Sequence, residues 1–114
     1  LLIEDDCNFW FESGLTRNIV FRNNCVITCS FNREPDLASV IQCTPKVMNE
    51  DFDGFVHKKL HITDNRFLEP RYGKYIFFLE YLENVIAENN EFDMPFEIVT
   101  RKCGKILQNN NFIK

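Results

Sequence analysis

The pattern with the most metal-like chemistry in this sequence is Cys25-x3-Cys29 together with His57-x3-His61. Thiolate and imidazole are the ligands zinc selects, and four of them close a tetrahedral structural site. The two pairs, however, are separated by far more chain than in a zinc finger. On an extended strand Cys25 and Cys29 would also stand about 13 Å apart, too far for one ion to take both. They are read as two core thiols and two surface imidazoles beside Lys58 and Lys59, and no metal is expected. Asn49-x-Asp51-x-Asp53-Gly54 matches the opening of a calcium loop, but Leu60 stands where a bidentate Glu should close the shell. This segment is read as a hydrated acidic turn.

Covalent and acid–base chemistry find no better footing. A Cys43 nucleophile served by His57 or His61, with Asp51 as orienter, lacks any Gly-rich elbow to present the thiol. The four glycines, at positions 14, 54, 73 and 104, stand singly and form no phosphate cradle. The carboxylate pairs Asp5-Asp6 and Glu50-Asp51 are sequence neighbours, which point to opposite faces of an extended chain. From these residues no catalytic group, cofactor or small-molecule substrate is expected, and the chain is read as not an enzyme.

Aromatic side chains are the feature left over. Twelve Phe, three Tyr and one Trp in 114 residues are more rings than one small core readily hides. Exposed rings are the usual anchors of protein interfaces, because each buries much area at little entropic cost. Phe77 and Tyr81, spaced i and i+4 on an expected helix, together with Trp10, are the expected interface residues. The expected partner is another protein or a second copy of the chain.

The elements that must position these residues read as strands first and helices second. Asn18–Phe21 and Cys25–Phe31 flank Arg22-Asn23-Asn24, and Asn tolerates the left-handed conformation of a tight turn, so a hairpin is expected there. In its second strand Cys25, Ile27, Cys29 and Phe31 share one face, taken as the core face. A short aromatic strand at Cys7–Phe11, a third strand at Leu37–Cys43, and a half-exposed strand with Val56, Leu60 and Ile62 opposite His57, Lys59 and His61 complete the sheet. From Tyr75 the apolar positions Phe78, Leu79, Leu82, Val85 and Ile86 follow a helical stripe, predicting a helix over 74–89 that stops at Asn89-Asn90. Asp93 as N-cap and Pro95 in the first turn predict a second helix over 96–107, with a strand as its competitor. The expected fold is α+β: an antiparallel sheet of three to five strands followed by two C-terminal helices on one face. The runner-up is an all-β sandwich in which Tyr75–Leu82 and Phe96–Thr100 are strands. No internal repeat is visible.

Composition bounds the setting. With 13 Lys+Arg against 17 Asp+Glu the formal charge is -4, so nucleic-acid binding is disfavoured. The longest apolar stretch, Tyr75–Leu79, is far short of a membrane span, and no insertion is expected. The length suits one globular domain over 1–114. Leu1-Leu-Ile-Glu-Asp-Asp lacks an initiator Met and the pattern of a signal peptide, and it reads as a cut from a longer chain. Five Cys is an odd number, and none of the 13 Asn residues begins a glycosylation acceptor. The resulting expectation is a non-catalytic docking or dimerisation module of a larger intracellular protein. The alternative is an extracellular or viral binding domain stapled by disulfides such as Cys25 with Cys43 or Cys7 with Cys103.

Overall fold

The computed structural model describes residues 1–3, 16–27, 39–45, 47, 51–69, 76–95 and 97–114. Twelve strands and no helix are found among them. In chain order they are β1 (Leu2–Ile3), β2 (Ile19–Arg22), β3 (Cys25–Ile27), β4 (Ile41–Cys43), β5 (His57–Thr63) and β6 (Arg66–Leu68). There follow β7 (Phe77–Glu80), β8 (Leu82–Glu88), β9 (Glu91–Phe92), β10 (Ile98–Arg101), β11 (Lys105–Asn109) and β12 (Phe112–Ile113). Every third strand pairs in parallel, giving sheet A in the order β1-β4-β7-β10, sheet B as β11-β8-β5-β2 and sheet C as β12-β9-β6-β3. The chain is thus a parallel β-helix, in which each coil lays one strand on each of three faces and the next coil stacks on it.

The corner between sheets B and C explains why the chain coils. Asn23, Asp64, Asn89 and Asn110 all take left-handed φ, between 55° and 58°. Asn and Asp adopt that conformation at least cost among residues with a Cβ. Each is followed by an asparagine, and these four stack into a ladder. Asn24 N–H donates to Asn65 Oδ1 (2.9 Å), Asn65 N–H to Asn90 Oδ1 (3.1 Å) and Asn90 N–H to Asn111 Oδ1 (3.1 Å). The side-chain amides run the same way, and those of Asn65, Asn90 and Asn111 also donate to the carbonyls of Phe21, Ile62 and Ala87 at 2.8 Å. Asn65 and Asn90 are buried, yet their donors and acceptors are satisfied.

The ladder holds the coils in a register that stacks like on like. Val26, Phe67, Phe92 and Ile113 form one row across sheet C, with the Phe67 and Phe92 rings stacked at 5.3 Å. Leu60 and Val85 continue one inward row of sheet B and Ile62 and Ala87 the next, while Ile41 and Phe77 do so on sheet A. The Phe77 ring meets Phe67 edge-on at 5.3 Å and closes the core between faces.

The α+β expectation is therefore corrected: neither C-terminal helix exists, and the antiparallel sheet is replaced by three parallel ones. Tyr81 takes φ 57° at the corner between β7 and β8, which shifts the inward phase by one residue. Leu79 and Leu82 consequently face inward three residues apart, and Val85 is buried three residues further on within β8, so the series imitates a helical stripe. The runner-up correctly has strands where the helices were expected, but its sandwich is absent. The predicted hairpin at Arg22-Asn23-Asn24 is a corner, for β2 and β3 lie in different sheets and pair with β5 and β6. Cys25 and Ile27 face outward and Val26 inward, the reverse of the expected face. Leu60 and Ile62 are buried as expected, but His57 is buried with them. The strand expected at Cys7–Phe11 lies outside the described residues, and of Leu37–Cys43 the described part contains β4. No helix among the described residues is long and apolar enough to cross a membrane.

Truncating one rung of the ladder tests this account. Asn90→Ala removes the acceptor of the buried Asn65 N–H and two donors of its own. It should cost about 3 kcal/mol in urea denaturation, since buried donors lose their partners outright.

A candidate binding face at the corner of sheets A and B

Sheet A turns two kinds of side chain to the two sides of its plane. Phe77 and Leu79 enter the core, so Phe78 and Glu80 between and beyond them face outward, as does Arg101, which pairs with Glu80 across β7 and β10. Phe78 is nevertheless buried, lying outside the central cluster, and the Arg101 guanidinium sits 5.0 Å from its ring centroid. At the corner Tyr81 is half-buried; its ring lies 6.0 Å from that of Phe52, and the Lys102 ammonium is 5.5 Å from its centroid. Phe52 and Phe55 are exposed beside this corner. Gly104 is required there, because a Cβ would come 2.4 Å from the carbonyl oxygen of Glu83 and 3.2 Å from the Phe55 ring.

Left-handed φ at Tyr81, a bulky residue, costs of order 1–3 kcal/mol unless the surroundings over-determine it. Its backbone answers for part of that: Tyr81 O accepts from Val56 N–H at 2.9 Å and His57 N–H at 3.2 Å, and Tyr81 N–H donates to Arg101 O at 3.2 Å. The strained corner thus holds a ring at the surface against the Lys102 ammonium and the Phe52 ring, directly after Glu80 in the chain. Burial pushes the Glu80 carboxyl above its ordinary 4.5, against the pull of Arg101 and then Lys102. Rings whose faces take apolar C–H groups, beside a carboxyl and a guanidinium that take hydroxyls, are the equipment of a surface that binds a polyhydroxylated ligand.

The residues singled out from the sequence are dispersed. Phe77 is fully buried in the core and cannot be an interface residue, which corrects that expectation. Tyr81 is part of the corner just described, and Trp10 lies outside the described residues. Of the zinc pattern, Cys25 is exposed on sheet C and His57 is buried, its Nδ1 accepting Thr16 N–H at 3.4 Å. His61 is half-exposed on sheet B, and Cys29 lies outside the described residues. Asp51 and Asp53 are exposed, and Asn49 lies outside the described residues. Among the described residues no three His, Cys, Asp or Glu side chains gather as a metal site.

Cys43 is buried on the inner side of sheet A, its Sγ 3.6 Å from the Glu80 carbonyl, and the charged groups acting on it are Cys103 and Glu80, not a histidine. Cys25, Cys43 and Cys103 are free thiols, so the expected Cys25–Cys43 bridge is also corrected; Cys7 lies outside the described residues. Glu80 and Arg101 were missed because a helical reading puts both on a solvated face. Only parallel pairing of β7 with β10 sets them side by side.

Two titrations follow. The Glu80 carboxyl holds its proton more tightly folded than unfolded, so its contribution to stability is complete below pH 4.5 and is lost as pH rises through the folded value. The stability of Glu80→Gln relative to the natural sequence should therefore increase from acid to neutral pH in thermal melts. Burial pushes the Cys43 thiol from 9.0 up to about 12, so its contribution is complete below pH 9.0 and fades toward 12. A thiol reagent at neutral pH should modify Cys25 at once and Cys43 only on unfolding.

Comparison with known proteins changes the functional picture. The chain is 36% identical over 114 residues, its whole length, to a protein named alpha-1,3-galactosidase A of Bacteroides fragilis, of which it covers 15%. It is 34% identical over 92 residues to an alpha-1,3-galactosidase A of Akkermansia muciniphila, covering 81% of this chain and 14% of that one. An alpha-1,3-galactosidase B of Bacteroides fragilis is 32% identical over 105 residues, covering 84% of this chain and 18% of that one. The chain thus spans about a sixth of the length of the curated relatives it matches. No family model matches the chain, and no solved structure matches it at a significant level. The expectation of a non-catalytic docking module, and with it that of no enzyme, is overturned: proteins with a stretch 27–36% identical to this chain are named alpha-1,3-galactosidase.

Proposed function

We propose that this chain is a β-helical portion of a glycoside hydrolase acting on α-1,3-linked galactose, and that the corner of sheets A and B is a face that meets the sugar. The observation that carries the reading is 36% identity, over the full 114 residues, to a stretch of a protein named for that activity. The corner supports it by its chemistry. Galactose has a face of C–H groups that packs on an aromatic ring, as Tyr81 and Phe52 present, and hydroxyls that pair with a guanidinium and a carboxyl, as Arg101 and Glu80 present.

Glycoside hydrolysis uses two carboxyl groups, one of them with a raised proton affinity so that it can protonate the leaving oxygen. Glu80, lifted by burial, has the property asked of that acid. The charged groups that act on it are Arg101 and Lys102, so the described corner supplies at most one member of such a pair. In this reading the chain binds and orients galactoside, and a second carboxyl comes from elsewhere in the enzyme.

Saturation-transfer NMR with galactosyl-α-1,3-galactose tests it. Binding is expected, weakened roughly fivefold by Tyr81→Ala, the loss of about 1 kcal/mol of ring contact. Failure to bind that disaccharide, or binding indifferent to Tyr81, would sink the reading.

A further inference from the structure

The outer corner of sheets A and B carries more positive charge than a neutral sugar asks for. Arg101 and Lys102 are consecutive and exposed, and each lies over a ring of the preceding coil. The guanidinium is 5.0 Å from the centroid of Phe78 and the ammonium 5.5 Å from that of Tyr81. Parallel register makes this possible. Arg101 stands beside Glu80 across β10 and β7, and the next residue on each coil, Lys102 and Tyr81, turns the corner with left-handed φ, 52° and 57°. Neighbours on a regular strand point to opposite faces. The turn at Lys102 instead lays its ammonium on the Tyr81 ring, at the corner that Arg101 borders.

Among the described residues neither of these cations forms an ion pair; the pair found there joins Arg66 to Glu91 at 3.4 Å. Glu80 is the carboxyl beside Arg101, and burial disfavours its ionised form, so it offsets their charge less than an exposed carboxylate would. A ring beneath a guanidinium or ammonium occupies one side of it and leaves the other N–H groups free to donate. Both groups donate only, and both keep their charge at neutral pH. Two of them held in place side by side are equipped to grip an oxyanion, and the rings hold them before any ligand arrives.

From this juxtaposition we infer that the galactoside taken at the corner is an acidic one, bearing a sulfate ester or a carboxylate that Arg101 and Lys102 grip while Tyr81 and Phe52 take the sugar ring. The inference rests on the galactoside reading and narrows it. Hydroxyls of a neutral sugar satisfy the hydrogen bonds of the two cations but leave their charge uncompensated as water is displaced; an anionic substituent satisfies both. Lys102 is then the residue that sets the preference for an acidic sugar over a neutral one, because its ammonium shares the Tyr81 ring with the ligand.

Calorimetric titration with three disaccharides tests the inference: galactosyl-α-1,3-galactose, the same sugar with a sulfate ester on one ring, and the same sugar with one ring oxidised to the uronate. At least one acidic sugar should bind about tenfold tighter than the neutral one, a difference of about 1.4 kcal/mol, and the larger gain names the acid. That gain should shrink as salt rises from about 0.01 M to about 1 M, because the charges are exposed and screened. Lys102→Met should bring the ratio of acidic to neutral affinity close to unity and Lys102→Arg should keep it high, with circular dichroism showing the fold retained in both. A neutral sugar that binds as tightly as both acidic ones overturns the inference and leaves the galactoside reading standing, whereas no binding by any of the three sinks both. A ratio unmoved by Lys102→Met, or inorganic sulfate binding as tightly as the sulfated sugar, also overturns it.

Discussion

One asparagine per coil, at the corner where sheet B gives way to sheet C, sets the geometry on which the rest of this structure depends. A left-handed residue before it turns the chain onto a new face and removes the ladder asparagine's own N–H from strand pairing. The carboxamide of the next coil replaces that partner, and its amide in turn reaches back to a carbonyl of the coil before. Carboxamides suit the task because they carry donors and acceptor together and no charge, so they can be buried fully paired where a carboxylate could not. Because an unpaired rung is expensive, one alignment of coil on coil wins over its neighbours. Rows of Val26, Phe67, Phe92 and Ile113, or of Leu60 and Val85, are then consequences of that alignment.

The same register produces the outer corner. Parallel stacking brings Glu80 beside Arg101 although they are on different coils, and it carries a guanidinium over Phe78. The second left-handed corner, Tyr81, has no ladder to hold it; three backbone hydrogen bonds and a close-packed Gly104 do so instead. A strained tyrosine retained at the surface is what a binding face asks for, since the ring is held in place before any ligand arrives. The buried Cys43 and half-buried Cys103 donate their thiols to the carbonyls of Glu80 and Leu79 and fill space beside the strands.

Solenoids place few long-range constraints on their loops, which here hides the repeat. The ladder asparagines are separated by 41, 25 and 21 residues, so no fixed period appears in the sequence. Nor is a parallel pairing announced by local chemistry. Asn23-Asn24 has the residues of a hairpin turn, and whether the chain reverses or only bends there is decided by what Cys25–Ile27 finds beside it, the next coil's strand at Arg66–Leu68. A two-residue corner also breaks the period of two, and at Tyr81 the shift makes consecutive inward residues look helical.

The amino-acid sequence by itself determined the strand character of the first half, the burial of Leu60 and Ile62, the asparagines apt for left-handed turns and the surplus of rings, because these follow from side-chain size, branching and local hydrogen bonding. Tertiary structure alone decided that the strands run parallel, that Phe77 lies inside while Tyr81 lies at the surface, and that Glu80 meets Arg101. Those outcomes depend on which coil stacks on which, and that choice is made by hydrogen bonds between asparagines far apart in the chain, whose partners no local pattern names.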